Sequence, residues 1–494
     1  MKNLINNVLL VAAFVILLAS CKPELSIPTA TKGSLNLTSY VAIGNSLTSG
    51  FQDNGLFYEG QHSSYVNVLA TQFKLVQPDL VFNTPYVSAT SVGCSGPSLN
   101  ITPPLNASNP AALLGKTFTL TLTVPAPLSL QTQTDCKNVT GLAPAPKQAY
   151  GDGQILFGPS FDNEHGYTAV IGPITIASLG GGLIPNIPTA PSIYSASGPF
   201  QNMGVPGARC IDINKKAYGG PSLITLSGTT ATQHNPFFSR FAKDQNNSSI
   251  LSDAMVMQPS FFTLFIGNND VLLWALGGGV GGATASTITP VPEFTDSIRN
   301  IVKTLTTTAK QGVILNIPQI TGAAYFTFHS PDVTKYIVDE NGATRLMTTG
   351  DMMLLSVPND SLECGLKDSA GNAFGSAAYP IPKKYTLTSA QVAQVTAAIN
   401  AYNAEMQTLA SDNDLAFFDM NAFAQANQNG TTYNGMSMTG TFVTGGIYSL
   451  DGLHLTARGY AALANELIVV INAKYGSTIP GVDLTKLGGV TFPQ

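Results

Sequence analysis

The sequence predicts an α/β fold, a mostly parallel sheet covered by helices on both faces and interrupted by a β-rich insertion. Three observations carry that expectation. Short apolar runs stopped by glycine or polar residues alternate with longer segments of helical period. The residues with chemistry to offer follow these runs rather than interrupt them, as sites do at the carboxyl ends of parallel strands. Residues 95–195 break the rhythm, being rich in Pro, Gly, Thr and Asn.

The elements follow in order. Lys2 precedes an apolar run from Val8 to Leu18, and Leu18-Ala19-Ser20 leads into Cys21. The run falls short of the roughly 20 residues a spanning helix needs, so residues 1–20 read as a signal peptide. Leu-Ala-Ser-Cys is similar to a bacterial lipobox, which implies cleavage before Cys21 and its acylation. More than one acyl chain anchors a protein stably. Lys22 lacks the Asp of an inner-membrane retention signal, which favours the outer membrane. Residues 21–36 read as a polar tether.

Tyr40-Val41-Ala42-Ile43, stopped by Gly44, predicts a buried strand that delivers Ser46 at its carboxyl end. Ser64 to Lys74 predicts a helix, with Val66, Leu69, Ala70 and Phe73 at helical spacing. Phe118, Leu120, Leu122 and Val124 alternate with threonines, a strand pattern inside the insertion. The rhythm returns near Gly207. Phe261 to Ile266 is a strand ending at Gly267; Phe294, Ile298, Ile301, Val302 and Leu305 line a helix; Val313-Ile314-Leu315 is the next strand. A second insertion is expected at 331–387. Thr388 to Leu409 reads as a helix, Leu415 to Phe418 as a strand and Thr456 to Tyr475 as the last helix. The main domain then spans 37–480, with 481–494 a tail.

Bulk properties narrow the function. Charged residues make up 10% of the 494, the net charge is −5 and mean hydropathy is +0.17. No basic stripe is present to neutralise phosphates, so nucleic acid is not an expected partner. After Cys21, four cysteines remain: Cys94, Cys136, Cys210 and Cys364. An even number in an exported chain suggests disulfides, and four cysteines allow three pairings. Cys94 and Cys136 bracket one insertion, so the expected pairs are Cys94–Cys136 and Cys210–Cys364. The spacings do not suggest zinc, and no metal or organic cofactor is called for.

Four blocks carry chemistry: Gly44-Asn45-Ser46-Leu47-Thr48, Asn202 to Ala208, Gly267-Asn268-Asn269-Asp270 and Asp451-Gly452-Leu453-His454. Serine is a poor nucleophile until a base takes its proton. Of the five histidines, His62, His165, His234, His329 and His454, only the last follows an Asp by three residues and precedes a helix. One turn places Asp451 beside one imidazole nitrogen and leaves the other for Ser46. Attack on an ester builds charge on the carbonyl oxygen, so donors must be aimed in advance. The backbone N–H groups of Ser46 and Gly207 and the amide of Asn269 are the candidates, with Gly204 a rival to Gly207. Each block alone has a blander reading, such as a turn, a strand-end cap or a solvated surface pair.

Taken together the blocks resemble those of the SGNH (GDSL) hydrolase superfamily. The resemblance implies a flavodoxin-like three-layer α/β/α sandwich with a parallel sheet, Ser46 as nucleophile, Asp451 and His454 completing the triad, and Gly207 and Asn269 completing the oxyanion hole. Gly-Ala-Arg after Gly207 favours it over Gly204. The family's first block usually reads Gly-Asp-Ser-Leu, and here Asn45 replaces the Asp, which alters the local hydrogen bonding. Gly277 to Gly282 fits a dinucleotide-loop pattern formally, but Thr and Pro follow instead of a helix, so it reads as a loop beside the cleft. No G-x-S-x-G elbow occurs.

The expected function is a lipid-anchored, monomeric outer-membrane lipoprotein acting as a serine esterase on carboxylic esters. An O-acetylesterase acting on acetylated glycans and a non-catalytic glycan-binding lipoprotein are the alternatives.

Overall fold

A computed structural model of the chain describes residues 29–87, 93, 98–102, 117–124, 127–146, 167–175, 198–220, 235–280, 287–490 and 492. Cys21, the signal segment and Cys94 lie outside them. Five strands make the central sheet: β1 (Tyr40–Gly44), β2 (Asn202–Gly204), β3 (Phe261–Phe265), β4 (Gln311–Leu315) and β5 (Ala416–Phe418). They run parallel in the order β5-β4-β3-β1-β2. Ile43 of β1 lies opposite Leu264 on one side and Met203 on the other.

Side chains alternate across a strand, so each strand feeds two cores. Val41, Ile43, Phe262, Leu264 and Ile314 pack into one, and Tyr40, Ala42, Phe261, Phe265, Val313 and Leu315 into the other. Because both faces are covered, the strands read as continuous apolar runs rather than alternating ones. The helices that bear on the layers and the site are α1 (Ser46–Ser49), α2 (Tyr65–Phe73), α3 (Asn269–Leu276), α4 (Val291–Leu305), α5 (Ser389–Asp412), α6 (Met420–Asn429) and α7 (Ala457–Tyr475). On α4, Phe294, Ile298, Ile301, Val302 and Leu305 recur at three- and four-residue steps and are all buried in the first core, with Val395, Ile399 and Tyr402 of α5. Burying each such large side chain contributes about 1.5–3 kcal/mol. The opposite layer is α2 and α7, through Val66, Leu69 and Phe73 against Leu463, Leu467 and Ile471. The result is the three-layer α/β/α sandwich expected from the sequence.

The expected helices at 64–74 and 388–409 form with Ser64 and Thr388 as N-caps, each hydroxyl accepting an N–H of the first turn. Within 95–195, Ser98–Thr102, Thr117–Val124 and Tyr167–Thr175 pair antiparallel, and Leu128–Thr134 forms a hairpin with Thr140–Pro146. The described part of this insertion is therefore β-structured. Residues 331–387 carry two short antiparallel pairs around a small core of their own, including Ile337, Met353, Phe374 and Ile381. Gly278 and Gly279 pack against Lys383 and Gln391, while Gly281 and Gly282 lie outside the described residues. No helix among the described residues is long and apolar enough to cross a membrane.

The cysteine pairing differs from expectation. Cys136 is bonded to Cys364, with Cα atoms 6.2 Å apart, and Cys210 is a buried free thiol. Both expected pairs, Cys94–Cys136 and Cys210–Cys364, are therefore overturned. Cys136 sits in the turn of the 128–146 hairpin, which reaches the second insertion, where Lys137 also meets Glu363 at 2.7 Å. Cys210 is buried in the sheet's first core, where its backbone N–H donates to Asp270 Oδ2. Chain order alone does not reveal that two insertions 228 residues apart meet.

Candidate active site

Ser46 is positioned by the turn from β1 into α1. A Cβ on Gly44 would collide with Thr48 Oγ1 and the Phe265 carbonyl, so only glycine lets the strand turn here. Asn45 caps α1, its side-chain oxygen accepting the Leu47 N–H at 3.1 Å. Its amide nitrogen donates to Asn268 Oδ1 at 3.2 Å. A carboxylate could not make that second bond, which is how this chain accommodates the departure from Asp at this position. As the first residue of α1, Ser46 has a backbone N–H with no intrahelical acceptor.

His454 reaches Ser46 from 408 residues away, with Nε2 at 2.8 Å from Oγ. Its Nδ1 lies 2.8 Å from Asp451 Oδ2. Asp451 is nearly buried and heavily solvated by the protein. Its Oδ1 accepts the N–H groups of Leu453 and His454, both at 2.8 Å, and the Ser449 hydroxyl at 3.2 Å. Its Oδ2 also accepts the Asn54 N–H at 2.8 Å. Burial works to raise this carboxyl's pKa, but the neighbouring imidazole and the N–H donors outweigh it and hold the group well below the usual range. An ionised Asp451 accepts a hydrogen bond from Nδ1–H, which keeps the proton on that nitrogen and leaves a bare Nε2 lone pair facing the serine hydroxyl.

The candidate oxyanion donors fall into place unequally. Asn269 opens α3 beside Ser46, and one of its two amide hydrogens goes to the Ala208 carbonyl at 2.9 Å. Gly207 adopts φ +79° on the loop after β2, and its N–H meets no protein acceptor among the described residues. Gly207 does not line the cleft itself; it is tied to it through the next residue, Ala208. The rival Gly204 is spoken for: its N–H donates to Asn202 Oδ1 at 3.0 Å, and its Cα packs on the backbone of Ser49.

Asp270, next to Asn269, is fully buried and accepts the Cys210 N–H at 2.7 Å. Burial pushes its pKa up to about 7, only partly offset by that N–H, Thr289 and Arg209. Together, Asn269 and Asp270 grip the chain at 208 and 210, just after Gly207. The same burial, with Asp270 and Asp212 nearby, pushes the Cys210 thiol up. Sequence reading misses this clamp and the contacts of Asn54 and Ser449, because short loops carry no periodic signal. Of the other histidines, His62 stacks on Tyr86 and His329 lies against Phe328, while His165 and His234 fall outside the described residues. No group of three or more metal-ligating side chains gathers among the described residues.

Ser46 and His454 open onto a cleft of about 740 Å³, its mouth included. It crosses the carboxyl ends of β3, β4 and β5, from Asn268 and Asn269 past Pro318 and Ile320 to Met420, Phe423 and Ala424. Its polar lining is amide-rich, and it holds no Asp, Glu, Lys or Arg.

The family described as GDSL-like Lipase/Acylhydrolase matches residues 184–467, more than half of the chain. Gly207, Asn269, Asp451 and His454 lie within the matched span; Ser46 precedes it and is joined to it by the sheet. No curated protein matches the chain.

Proposed function

This chain belongs to the GDSL-like lipase/acylhydrolase family of ester-cleaving hydrolases, and we propose that it works as a serine esterase through an acyl-enzyme. The observation that carries the proposal is the unbroken line from Asp451 through His454 to Ser46, both links 2.8 Å long. His454 Nε2 takes the Ser46 proton as Oγ attacks the ester carbonyl. Asp451 balances the imidazolium that forms. The developing oxyanion draws on the Ser46 and Gly207 N–H groups and the second amide hydrogen of Asn269. His454 then returns the proton to the leaving alcohol, and water attacks the acyl-serine by the same route.

The cleft favours an uncharged ester with an apolar arm. Leu47, Leu272, Ile320, Met420 and Phe423 offer hydrocarbon along its length, and no cation is present to hold a phosphate or carboxylate. That lining weighs toward acyl or lipid esters over acetylated glycans. Anchoring at Cys21, which rests on the Leu-Ala-Ser-Cys motif, and an outer-membrane place, which rests on Lys22, complete the proposal of a monomeric lipoprotein.

p-Nitrophenyl acetate, butyrate and octanoate, assayed with wild type and Ser46→Ala, test the reading. Turnover of at least one ester by wild type and none above background by the variant is expected. Equal rates from the two proteins would overturn it.

A further inference from the structure

The chain leaving the nucleophile's helix returns at once to the acid–base pair. Gly50 ends α1 in the left-handed region, and the Phe51 N–H donates to the Ser46 carbonyl at 3.0 Å. Gln52 and Gly55 then pair in both directions, at 3.0 and 2.9 Å, around Asp53 (φ +52°) and Asn54 (φ +58°). Two left-handed central residues make this a type I′ hairpin, for which an Asp-Asn-Gly sequence is suited.

Its tip is pressed onto the loop that carries Asp451. The Asp53 N–H donates to Ser449 Oγ at 2.9 Å, and Asp53 Oδ1 accepts the Leu450 N–H at 2.9 Å. The Asn54 N–H reaches Asp451 Oδ2, the oxygen that faces His454 Nδ1. Ser449 Oγ, oriented by Asp53, donates onward to Asp451 Oδ1. On the other side the Phe51 ring lies against the imidazole, centroids 4.8 Å apart, while the Tyr460 hydroxyl holds the Phe51 carbonyl.

We propose that the Phe51–Gly55 hairpin is a positioning element for the reaction, with Asp53 and Ser449 as its positioning residues. It fixes the orientation of Asp451, keeps that carboxylate anionic while His454 carries the proton, and ties both to the segment bearing Ser46. The inference rests on the serine-esterase reading. Asp451 has three lone-pair sites engaged by backbone N–H groups outside the imidazole bond. Asp53→Ala removes the oxygen that accepts the Leu450 N–H, and Ser449→Ala removes the hydroxyl that reaches Asp451 Oδ1; either change loosens the loop from 449 to 451, so the carboxylate turns away from Nδ1 and stabilises the imidazolium less. Among the described residues, the titratable groups facing the pair include Asp53 and Tyr460, with Tyr448 lining the same cleft as His454. Burial and the nearby carboxylates push the Tyr460 phenol far above its usual range, so it stays neutral throughout a neutral-range profile.

The test measures kcat, KM and the pH dependence of kcat/KM on p-nitrophenyl acetate for the full chain, with Asp53→Ala, Asp53→Asn and Ser449→Ala. Asparagine tolerates a left-handed backbone and keeps the oxygen that receives the Leu450 N–H. Asp53→Ala and Ser449→Ala are expected to lower kcat at least tenfold with KM within twofold, and to move the acid limb to lower pH. Asp53→Asn restores most of the rate. Ser449→Ala removes a single oxygen, so it reports even if Asp53→Ala fails to fold. Fluorophosphonate labelling counts competent sites. If both alanine variants lose only titratable sites, with the profile of the remaining sites unmoved, or lose nothing, the hairpin is merely structural and the proposal falls. Wild type labelled at Ser46 beside unaffected variants overturns the hairpin's role alone, whereas unlabelled wild type overturns the esterase reading beneath it.

Discussion

The side-chain amide of Asn269 donates to the carbonyl of Ala208 at 2.9 Å, one residue past Gly207. In the proposed chemistry one amide would thereby have two uses: its second hydrogen is left for the oxyanion, and its bond to Ala208 fixes the loop that carries the Gly207 N–H. Asn269→Ala is expected to lower kcat on p-nitrophenyl acetate by about 10²–10³, the usual cost of one oxyanion donor or more. Steady-state kinetics would check it, and a loss confined to KM would contradict this arrangement.

Asp270 makes stability depend on pH in an unusual direction. Its folded pKa of about 7 lies above the ordinary 3.8, so the folded chain binds this proton more tightly than the unfolded chain. Its contribution is fully present below the ordinary carboxylate range and is lost as pH rises toward about 7. Asp270→Asn keeps an oxygen for the Cys210 N–H and removes the titration. Urea melts at pH 5 and pH 8 should show wild type losing stability relative to Asp270→Asn by a few kcal/mol across that interval. Parallel behaviour would exclude a buried carboxyl titrating there.

The disulfide joins two insertions rather than two parts of the sheet. Replacing both Cys136 and Cys364 by alanine is expected to cost about 2–5 kcal/mol where unfolding is cooperative. The Lys137–Glu363 pair at the same junction is exposed and offsets little of this. The expected readout is a lower melting temperature with kcat on acetate within twofold. A large loss of kcat at unchanged melting temperature would mean that the insertions act on the chemistry itself.

Ala424 on α6 lines the far part of the cleft. An indole there fills the space an extended acyl chain would use. Ala424→Trp is expected to lower the octanoate-to-acetate ratio of kcat/KM at least tenfold. An unchanged ratio would place the acyl chain elsewhere.

Much of this architecture is legible in the sequence, for definite physical reasons. Tyr40 to Ile43 and Phe261 to Ile266 read as strands because burial on both faces removes polar alternation. Ser46, Asp451 and His454 stand out because few residue types can activate a hydroxyl, and the chain holds only five histidines. What escapes is long-range. The grip of the Asp53-Asn54-Gly55 turn on Ser449 to Asp451, some 397 residues on, leaves no local trace. Cys136 meets Cys364 for the same reason. The Gly204 N–H is taken by Asn202 Oδ1, which supports the preference for Gly207 that rests on the Gly-Ala-Arg after it.

Whether His454 activates Ser46 is tested most directly by labelling with a fluorophosphonate probe and mapping the adduct by mass spectrometry. Wild type should carry one adduct, on Ser46, at a rate that falls at least a thousandfold in His454→Ala while the variant stays folded. An adduct on another residue, or undiminished labelling of Ser46 without the imidazole, would contradict the proposed chemistry.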